Sequence, residues 1–373
     1  MFRKWTVLLV ASLALAAGCN PTSETAVETE SSVAVEAAAE SEGNMLRTDT
    51  HIFEEIADGV YFATGTGTTV TVASNALVIV NEEDVVLIDS HITADAALEL
   101  LRSVKEITDK PIRYVVNSHF HFDHAHGNQI FPSDVDIIGH EYTRQKLLDD
   151  PLSEQTYQVI GSPEAQSKLL AALDEQIEAA ADDATTLALN AQKAMLERHI
   201  VALDEVVPTP PNVTFVDRLS LKRESREIQL LHLGRGHTGG DVVVYLPAER
   251  VLFTGDLLYP GAPYLGDGFA DEFPQTLERL KELDVDVIAG GHGALMRDKA
   301  IIDQVQAYLR TYWSQVSSSY EQELSVAEAV AALDLSGYED FAAFQIGTPG
   351  VLELEVGRMY ERLQEIAAAS AEN

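Results

Sequence analysis

The sequence predicts a layered α/β sandwich, and three observations support this fold class. Short runs rich in β-branched residues, such as Ala76–Val80 and Val85–Ile88, are typical of buried strands. A segment with apolar residues at helical spacing, 94–107, follows them. The same order, strands and then helices, occurs again from residue 213 onward. Two such units favour two packed sheets covered by helices.

The individual strands are predicted from the same pattern. In the first half they lie at 60–64, 70–72, 76–80, 85–88 and 112–116, with residues 81–84 as a turn. In the second half they lie at 213–216, 228–233, 242–245, 251–253 and 285–289. Together with the helices between them, they define a domain predicted to span residues 49–300, followed by a helical C-terminal extension at 301–373.

Residues 153–206 are predicted to form a helical hairpin inserted into this domain. Leu169, Leu173 and Ile177 recur at helical spacing in its first half, and Leu196, Ile200 and Leu203 do so in its second. Two interpretations stay open. The hairpin either shields the core as a helical layer or forms a lid or substrate wall beside a site.

The N-terminus has the pattern of an export signal. A basic start at Arg3 and Lys4 precedes an apolar stretch, residues 5–17, that is too short to span a bilayer as a helix. Residues 13–20, LALAAGCN, resemble a bacterial lipoprotein signal with lipid added at Cys19, the only cysteine. We therefore expect a signal peptide at 1–19, a disordered acidic tether at 20–48, and a lipid-anchored protein on the periplasmic side of a bacterial membrane. An ordinary secretory signal is the alternative.

The charge of the chain limits its partners. The formal net charge is −35 at pH 7. Such an acidic surface repels nucleic acid and anionic lipid, so we expect a small-molecule substrate, no nucleic acid, and membrane contact only through the anchor.

A histidine cluster, HFHFDH at residues 119–124, carries the chemistry. In an extended segment alternate side chains share a face, which would place His119, His121 and Asp123 together just past a strand end. His124 can then turn toward a second centre beside the first. Neutral imidazoles and carboxylates are ligands that suit zinc.

Three later segments repeat one pattern: an apolar strand, then glycine, then a ligand-type residue. They contain His237 in GRGHTGG, Asp256 in FTGD and His292 in AGGHG. Glycine permits the tight turns and close backbone approach that a metal site needs. The sequence therefore predicts that these residues join the histidine cluster at one edge of the sheets.

This set resembles the metallo-β-lactamase superfamily over roughly residues 50–300, and the resemblance implies a four-layered αβ/βα sandwich. It implies that His119, His121 and His237 bind one zinc ion, that Asp123, His124 and His292 bind a second, and that Asp256 bridges them. Asp89 matches the acid that orients a ligand imidazole. Iron or manganese are alternative metals.

Such a centre implies hydrolysis, with a metal-bound hydroxide attacking the carbonyl of a lactam, lactone, ester or thioester. Asp123 is expected to orient the hydroxide and pass on its proton. Asp256 stands where many β-lactamases of this superfamily have cysteine, which is closer to the thioesterase and lactonase branches. Tyr259 has the spacing at which lactonases place a tyrosine against the substrate, although a packed aromatic is the alternative.

Two other functions stay open: an iron-containing redox member of the same superfamily, and a non-catalytic metal-binding protein.

Residues 259–269, YPGAPYLGDGF, are predicted to form one wall of the pocket. The remaining histidines receive no role in the site: His51, His91, His126, His140, His199 and His232.

Overall fold

The computed structural model describes residues 44–67, 70–223 and 225–371. The predicted signal peptide and nearly all of the predicted tether lie outside these residues. Thirteen strands occur among the described residues: β1 (Met45–Arg47), β2 (His51–Ala57), β3 (Val60–Gly65), β4 (Ala76–Val80), β5 (Val85–Ile88), β6 (Ile112–Val116), β7 (Asp136–His140), β8 (Val213–Phe215), β9 (Arg218–Arg223), β10 (Arg226–Leu231), β11 (Val243–Leu246), β12 (Val251–Phe253) and β13 (Val287–Ala289).

Ten α-helices lie between and after the strands. They are α1 (Ala94–Val104), α2 (Phe122–Ala125), α3 (Glu141–Leu148), α4 (Pro163–Ala179), α5 (Asp183–Leu203), α6 (Phe273–Lys281), α7 (Ala300–Glu321), α8 (Val326–Ala332), α9 (Ala343–Gly347) and α10 (Val351–Ala371), all within the described ranges. A π-helical turn at Tyr157–Gly161 precedes α4.

The strands form two sheets. The first has eight strands in the order β1 to β8, and the second has five in the order β13-β12-β11-β10-β9. In the first sheet β5, β6, β7 and β8 are parallel, so their carboxyl ends share one edge. In the second, β12 and β13 are parallel. The residues that follow these parallel strands include most of the predicted ligands.

Alternation along the strands builds the layers. In β4 and β5, Leu77, Ile79, Val86 and Ile88 point to the core between the two sheets, while their sequence neighbours point to the opposite face. That opposite face packs against Leu100 and other residues of α1. The outer face of the second sheet packs against α6 and the C-terminal helices. These layers are the predicted αβ/βα sandwich, which is confirmed together with its helical C-terminal region.

The predicted strand at 70–72 is wrong. No strand occurs among residues 70–75, which run as an irregular segment to the start of β4. The polar groups that end this segment bond to loops and not to a neighbouring strand: Ser74 Oγ donates to the Asp123 carbonyl, and Asn75 N donates to the Gly291 carbonyl at 2.7 Å. The apolar pattern there reflects packing of Val72 over Gly65.

Four strands were not predicted: β1, β2, β7 and β9. β7 contains only the short apolar pair Ile137 and Ile138, and it is stabilised by parallel pairing with β6 and β8. β2 and β9 carry several charged residues and lack a long β-branched run, so their pairing is stabilised by neighbouring strands more than by local propensity. β1 lies within the range predicted as the tether. Its residues pair with β2 in antiparallel register, Leu46 opposite Phe53, so the ordered sheet begins before residue 49.

The helices α4 and α5 form the hairpin inserted between β7 and β8. None of the helices described is long and apolar enough to cross a membrane. The C-terminal helices pack on the second sheet within one hydrophobic cluster that includes Leu252, Phe273 and Tyr312. The division of the chain at residues 49, 300 and 301 stays a prediction.

One acid lies inside this C-terminal layer. Glu355 of α10 is fully buried and accepts a hydrogen bond from the Tyr312 hydroxyl at 3.0 Å. Burial raises the pKa of Glu355 to about 8, whereas an unfolded glutamate has a pKa of about 4.3. The folded state therefore retains a proton that the unfolded chain loses between these two values.

This difference predicts a pH dependence of stability. The contribution of Glu355 is fully present below about pH 4.3 and declines by up to about 1.4 kcal/mol per pH unit as pH rises to about 8. Glu355→Gln should lack this decline, so the variant should gain stability relative to the wild type between about pH 5 and about pH 8. Urea unfolding of both proteins across this range measures the effect. Parallel curves would contradict the proton assignment.

Candidate metal centre

The predicted ligands meet at one edge of the sandwich. The residues come from loops after β6, β10, β12 and β13. Three groups of side chains place their ligand atoms within 4.8 Å of one another: His119, His121 and His237; His119, His124 and Asp256; Asp123, His124 and His292. All seven side chains that the sequence singled out as ligands are thus brought together.

The first group is a cluster of three buried imidazoles. The Nδ1 atom of His121 lies 3.1 Å from Nε2 of His119 and 2.8 Å from Nε2 of His237. The three ring nitrogens lie close together because His119 and His121 follow the end of β6 within five residues and His237 approaches from the second sheet.

Asp123 does not share this face, which corrects the expectation of a fully extended cluster. The backbone bends at residues 118–120, and the His121 carbonyl then accepts hydrogen bonds from the amides of His124 and Ala125. These bonds start the helical turn α2. The turn directs Asp123 toward His124 and His292, with its Oδ2 atom 3.4 Å and 3.3 Å from their Nε2 atoms.

Asp256 lies between two of these groups, the first of His119, His121 and His237 and the last of Asp123, His124 and His292. Its Oδ2 atom is 3.1 Å from Nε2 of His292 and 3.7 Å from Nε2 of His237, and its Oδ1 atom is 3.3 Å from Nε2 of His124. It thus contacts imidazoles of both groups. Nε2 of His124 and Oδ1 of Asp256 are buried and have no hydrogen-bond partner. Each atom could donate a lone pair to a metal ion, and the ion would then supply the missing partner.

Each of four imidazoles is oriented by a partner on its other ring nitrogen. Asp89 lies 2.7 Å from Nδ1 of His124, and its carboxylate also accepts hydrogen bonds from the amide and hydroxyl of Ser118. Ser118 in turn lies 3.0 Å from Nδ1 of His119. Such outer hydrogen bonds fix the ring orientation and the tautomer that a ligand histidine needs.

The partners of His121 and His237 come from the 259–269 loop. Oδ2 of Asp267 lies 3.0 Å from Nε2 of His121, and Nδ1 of His237 donates to the Tyr264 carbonyl at 2.8 Å. The sequence indicated that this loop lies at the pocket but gave no reason to single out Asp267. Its position next to glycines, as at the other site loops, was the available signal.

The segment before β4 was also missed. Ser74 and Asn75 bond to loops that carry Asp123 and His292, respectively: Ser74 Oγ to the Asp123 carbonyl, and Asn75 Nδ2 to the carbonyls of Gly290 and Gly293 at 3.0 Å and 2.9 Å. No local pattern marks such residues, because their partners lie far away along the chain.

The protonation states fit a metal site. Burial lowers the pKa of His119 well below its usual value and that of His237 to about 4, so both are neutral at pH 7. Burial alone would raise the pKa of Asp123, but the charge of His124 and a hydrogen bond from His292 lower it. Neutral imidazoles and ionised carboxylates are the forms that bind metal.

His124 and His292 are the exceptions. Burial alone would lower the pKa of His124, but the carboxylates of Asp123, Asp256 and Asp89 raise it well above the usual value. Burial would likewise lower the pKa of His292, but Asp256 and Asp123 raise it to about 10. Three acids around one imidazole therefore demand a positive charge, which a proton or a metal ion can supply.

Tyr259 lies at the edge of the centre. Its ring centroid is 5.5 Å from that of His292, and its hydroxyl donates to the Ala262 carbonyl at 2.8 Å. This contact fits the packed-aromatic interpretation, and the catalytic role of Tyr259 stays a prediction. Among the other histidines, His51 and His91 are buried with their Nε2 atoms 3.1 Å apart, and His140 packs against His232.

The α/β sandwich and the histidine–aspartate site at its edge define a class of metal-binding protein. Residues 69–292 match the family model of the metallo-beta-lactamase superfamily, and the chain belongs to this superfamily.

Relatives with known names include hydrolases. The chain is 26% identical over 233 residues to a linear primary-alkylsulfatase of Pseudomonas sp.. The aligned region covers 60% of this chain and 42% of that protein. It is 30% identical over 99 residues to a metallo-beta-lactamase type 2 of Bacteroides fragilis. This aligned region covers 25% of this chain and 39% of that protein. The chain thus spans less than half the length of either relative.

A solved structure has the same fold. The metallo-beta-lactamase from Pontibacter korlensis superposes with a TM-score of 0.50 at 18% identity, over 70% of this chain and 99% of that one.

The glycine that precedes His292 provides a test of the geometry. A Cβ atom on Gly291 would lie 2.2 Å from Oδ1 of Asp256 and 2.7 Å from Cε1 of His124. Gly291→Ala should therefore displace Asp256 and weaken zinc binding by about 10-fold or more. Gly357→Ala, on α10 with no atom within 4 Å of the added methyl, is the matched control and should leave zinc binding unchanged. Calorimetric titration measures both, and equal affinity of the two variants would contradict the crowding.

Proposed function

We propose that the protein is an exported hydrolase that uses two zinc ions. His119, His121 and His237 would hold one ion, Asp123, His124 and His292 the other, and Asp256 would contact both. The observation that carries this proposal is the position of Asp256, whose two carboxylate oxygens contact imidazoles of both groups. Export and the lipid anchor at Cys19 rest on the sequence pattern of residues 1–20.

Bound zinc would polarise a substrate oxygen and lower the pKa of water toward neutrality. The residues of the chain then supply orientation and proton transfer. Asp123 is ionised, partly accessible and held by Ser74 at its backbone carbonyl, so its carboxylate can take a proton from the attacking water and deliver it to the leaving group.

Asp89 and Asp267 have a different role. Neither belongs to the three groups of facing ligand atoms, and each contacts the outer nitrogen of one imidazole. Their carboxylates hold His124 and His121 in place and increase the basicity of the ring nitrogen that faces the centre.

The proposed substrate is a lactam, lactone or other ester, including a thioester. A second candidate is a sulfate ester of a primary alcohol. It is favoured by the alkylsulfatase relative, which matches 60% of the chain against 25% for the lactamase relative of Bacteroides fragilis. In both candidates, water cleaves an ester or amide bond and the leaving group takes a proton.

The experiment is a substrate panel on the full chain loaded with zinc. A chromogenic cephalosporin, a chromogenic ester and a linear primary alkyl sulfate are offered in parallel, each with and without a chelator. We expect turnover of at least one substrate, and we expect the chelator to abolish that turnover. The substrate that turns over fastest decides between the two candidates.

A pair of variants tests the role of Asp123 in the same assay. Asp123→Asn cannot carry the proton and should lower kcat by about 100-fold or more with the fold intact. Asp109→Asn, at an exposed position outside the site, is the control and should keep full activity. Absence of turnover by the wild type would contradict the hydrolase proposal. If metal analysis then found iron, the result would favour the redox alternative. Full activity of Asp123→Asn would contradict both the proton-transfer role and the ligand role of Asp123, and would leave the hydrolase proposal standing.

A further inference from the structure

The 259–269 loop lies between the candidate metal centre and the C-terminal helices. On one side it contacts two proposed ligands, since the Tyr264 carbonyl accepts from Nδ1 of His237 at 2.8 Å and the Asp267 carboxylate lies 3.0 Å from Nε2 of His121. Tyr264 and Asp267 both also contact Thr156. The loop therefore determines how two of the three clustered imidazoles are oriented.

The other side of the loop is held by the turn that precedes α9 and by α10. The Ala262 amide donates to the Phe341 carbonyl at 2.8 Å, and the Leu265 amide donates to Oε1 of Glu355 at 3.0 Å. Nε of Arg358 donates to the Gly268 carbonyl at 3.2 Å. Contacts to the helices thus alternate along the loop with contacts to the histidines.

Glu355 is the most deeply buried of these anchors. Its side chain is fully buried, and its two oxygens accept from the Leu265 amide and from the Tyr312 hydroxyl. A buried carboxyl without hydrogen bonds is costly, so these contacts tie α10, α7 and the loop into one arrangement. Glu355 lies beyond residues 69–292, the part of the chain that matches the superfamily.

We propose that Glu355 is a positioning residue for the metal centre. By holding Leu265 it fixes the neighbouring Tyr264 carbonyl and the Asp267 carboxylate, and through them the rings of His237 and His121. The C-terminal helices thereby complete the site that the superfamily domain begins. This inference rests on the proposed function, because it takes both histidines as metal ligands.

The test compares four variants of the full chain with the wild type. Glu355→Leu removes the acceptor, and Glu355→Gln keeps an acceptor for the Leu265 amide. Tyr360→Phe is the matched control: it removes a hydrogen bond of the same helix, from the Tyr360 hydroxyl to the Leu324 carbonyl, and touches no residue of the loop. Arg358→Leu is a second test variant, at a more accessible anchor.

Two measurements are made on each protein. Titration of the metal-free chain with Co²⁺ gives its affinity and its visible absorption spectrum, which reports ligand geometry. Hydrogen exchange of the 259–269 amides in the metal-free chain reports whether the loop is held, independently of any metal.

Glu355→Leu should bind Co²⁺ about 10-fold or more weakly, with an altered spectrum and faster exchange across the loop. Glu355→Gln should restore all three, and Tyr360→Phe should leave them unchanged even if it lowers Tm. If Glu355→Leu does not fold, Arg358→Leu decides, with changes in the same direction expected.

A folded Glu355→Leu or Arg358→Leu protein with wild-type affinity, spectrum and exchange would overturn the inference. An equal loss in Tyr360→Phe would also overturn it, because general loosening of α10 would then suffice. Absence of Co²⁺ binding by the wild type would instead refute the proposed function, with the exchange data still deciding whether Glu355 holds the loop.

Discussion

Three carboxylates packed around His124 are the constraint on which the site depends. Asp89, Asp123 and Asp256 all lie within 3.4 Å of this one buried imidazole. Carboxylates gathered around one imidazole in a poorly solvated site repel one another unless a positive charge lies among them. The surrounding structure supplies the rigidity that keeps them together, and this enforced proximity makes the site selective for cations even before any ligand geometry is considered.

The sandwich provides that rigidity through strand ends from both sheets. The cores of the sheets are apolar and fully buried, so each strand directs the residues that follow it to a defined point. Glycines at the turns permit approaches that a side chain would block, as at Gly291 against Asp256 and at Gly255, where a Cβ atom would lie 2.7 Å from the Ser118 side chain. Gly255 also has a positive φ of 50°, which glycine adopts without strain.

Much of this arrangement could be predicted from the sequence because its signals are local. Apolar strands, glycines and single ligand-type residues repeat at three strand ends, and the clustered HFHFDH segment at a fourth indicates their common function. The turn of Asp123 away from His121 could not be predicted, because two backbone hydrogen bonds to the His121 carbonyl decide it and the alternating sequence fits an extended strand equally well. β2 and β9 were missed because their pairing partners, not their composition, stabilise them.

Apart from Asp89, the residues that orient the ligands were missed for the same reason. Asn75 contacts a loop more than 200 positions away, and Glu355 contacts a loop 90 positions away. Neither has a local pattern, since an asparagine before a strand and a glutamate within a helix are ordinary features. The sequence therefore predicted the candidate ligands and Asp89, whereas the other groups that orient the ligands became visible only in the packed structure.

The most direct measurement is the number of zinc ions that the full chain retains after equilibrium dialysis, determined by elemental analysis. Two ions per chain are expected, because two groups of ligands share Asp256. Retention of two ions by the wild type and of one by His292→Ala would agree with separate positions for them. Retention of no zinc, or of one ion that does not depend on His292, would contradict the two-metal centre.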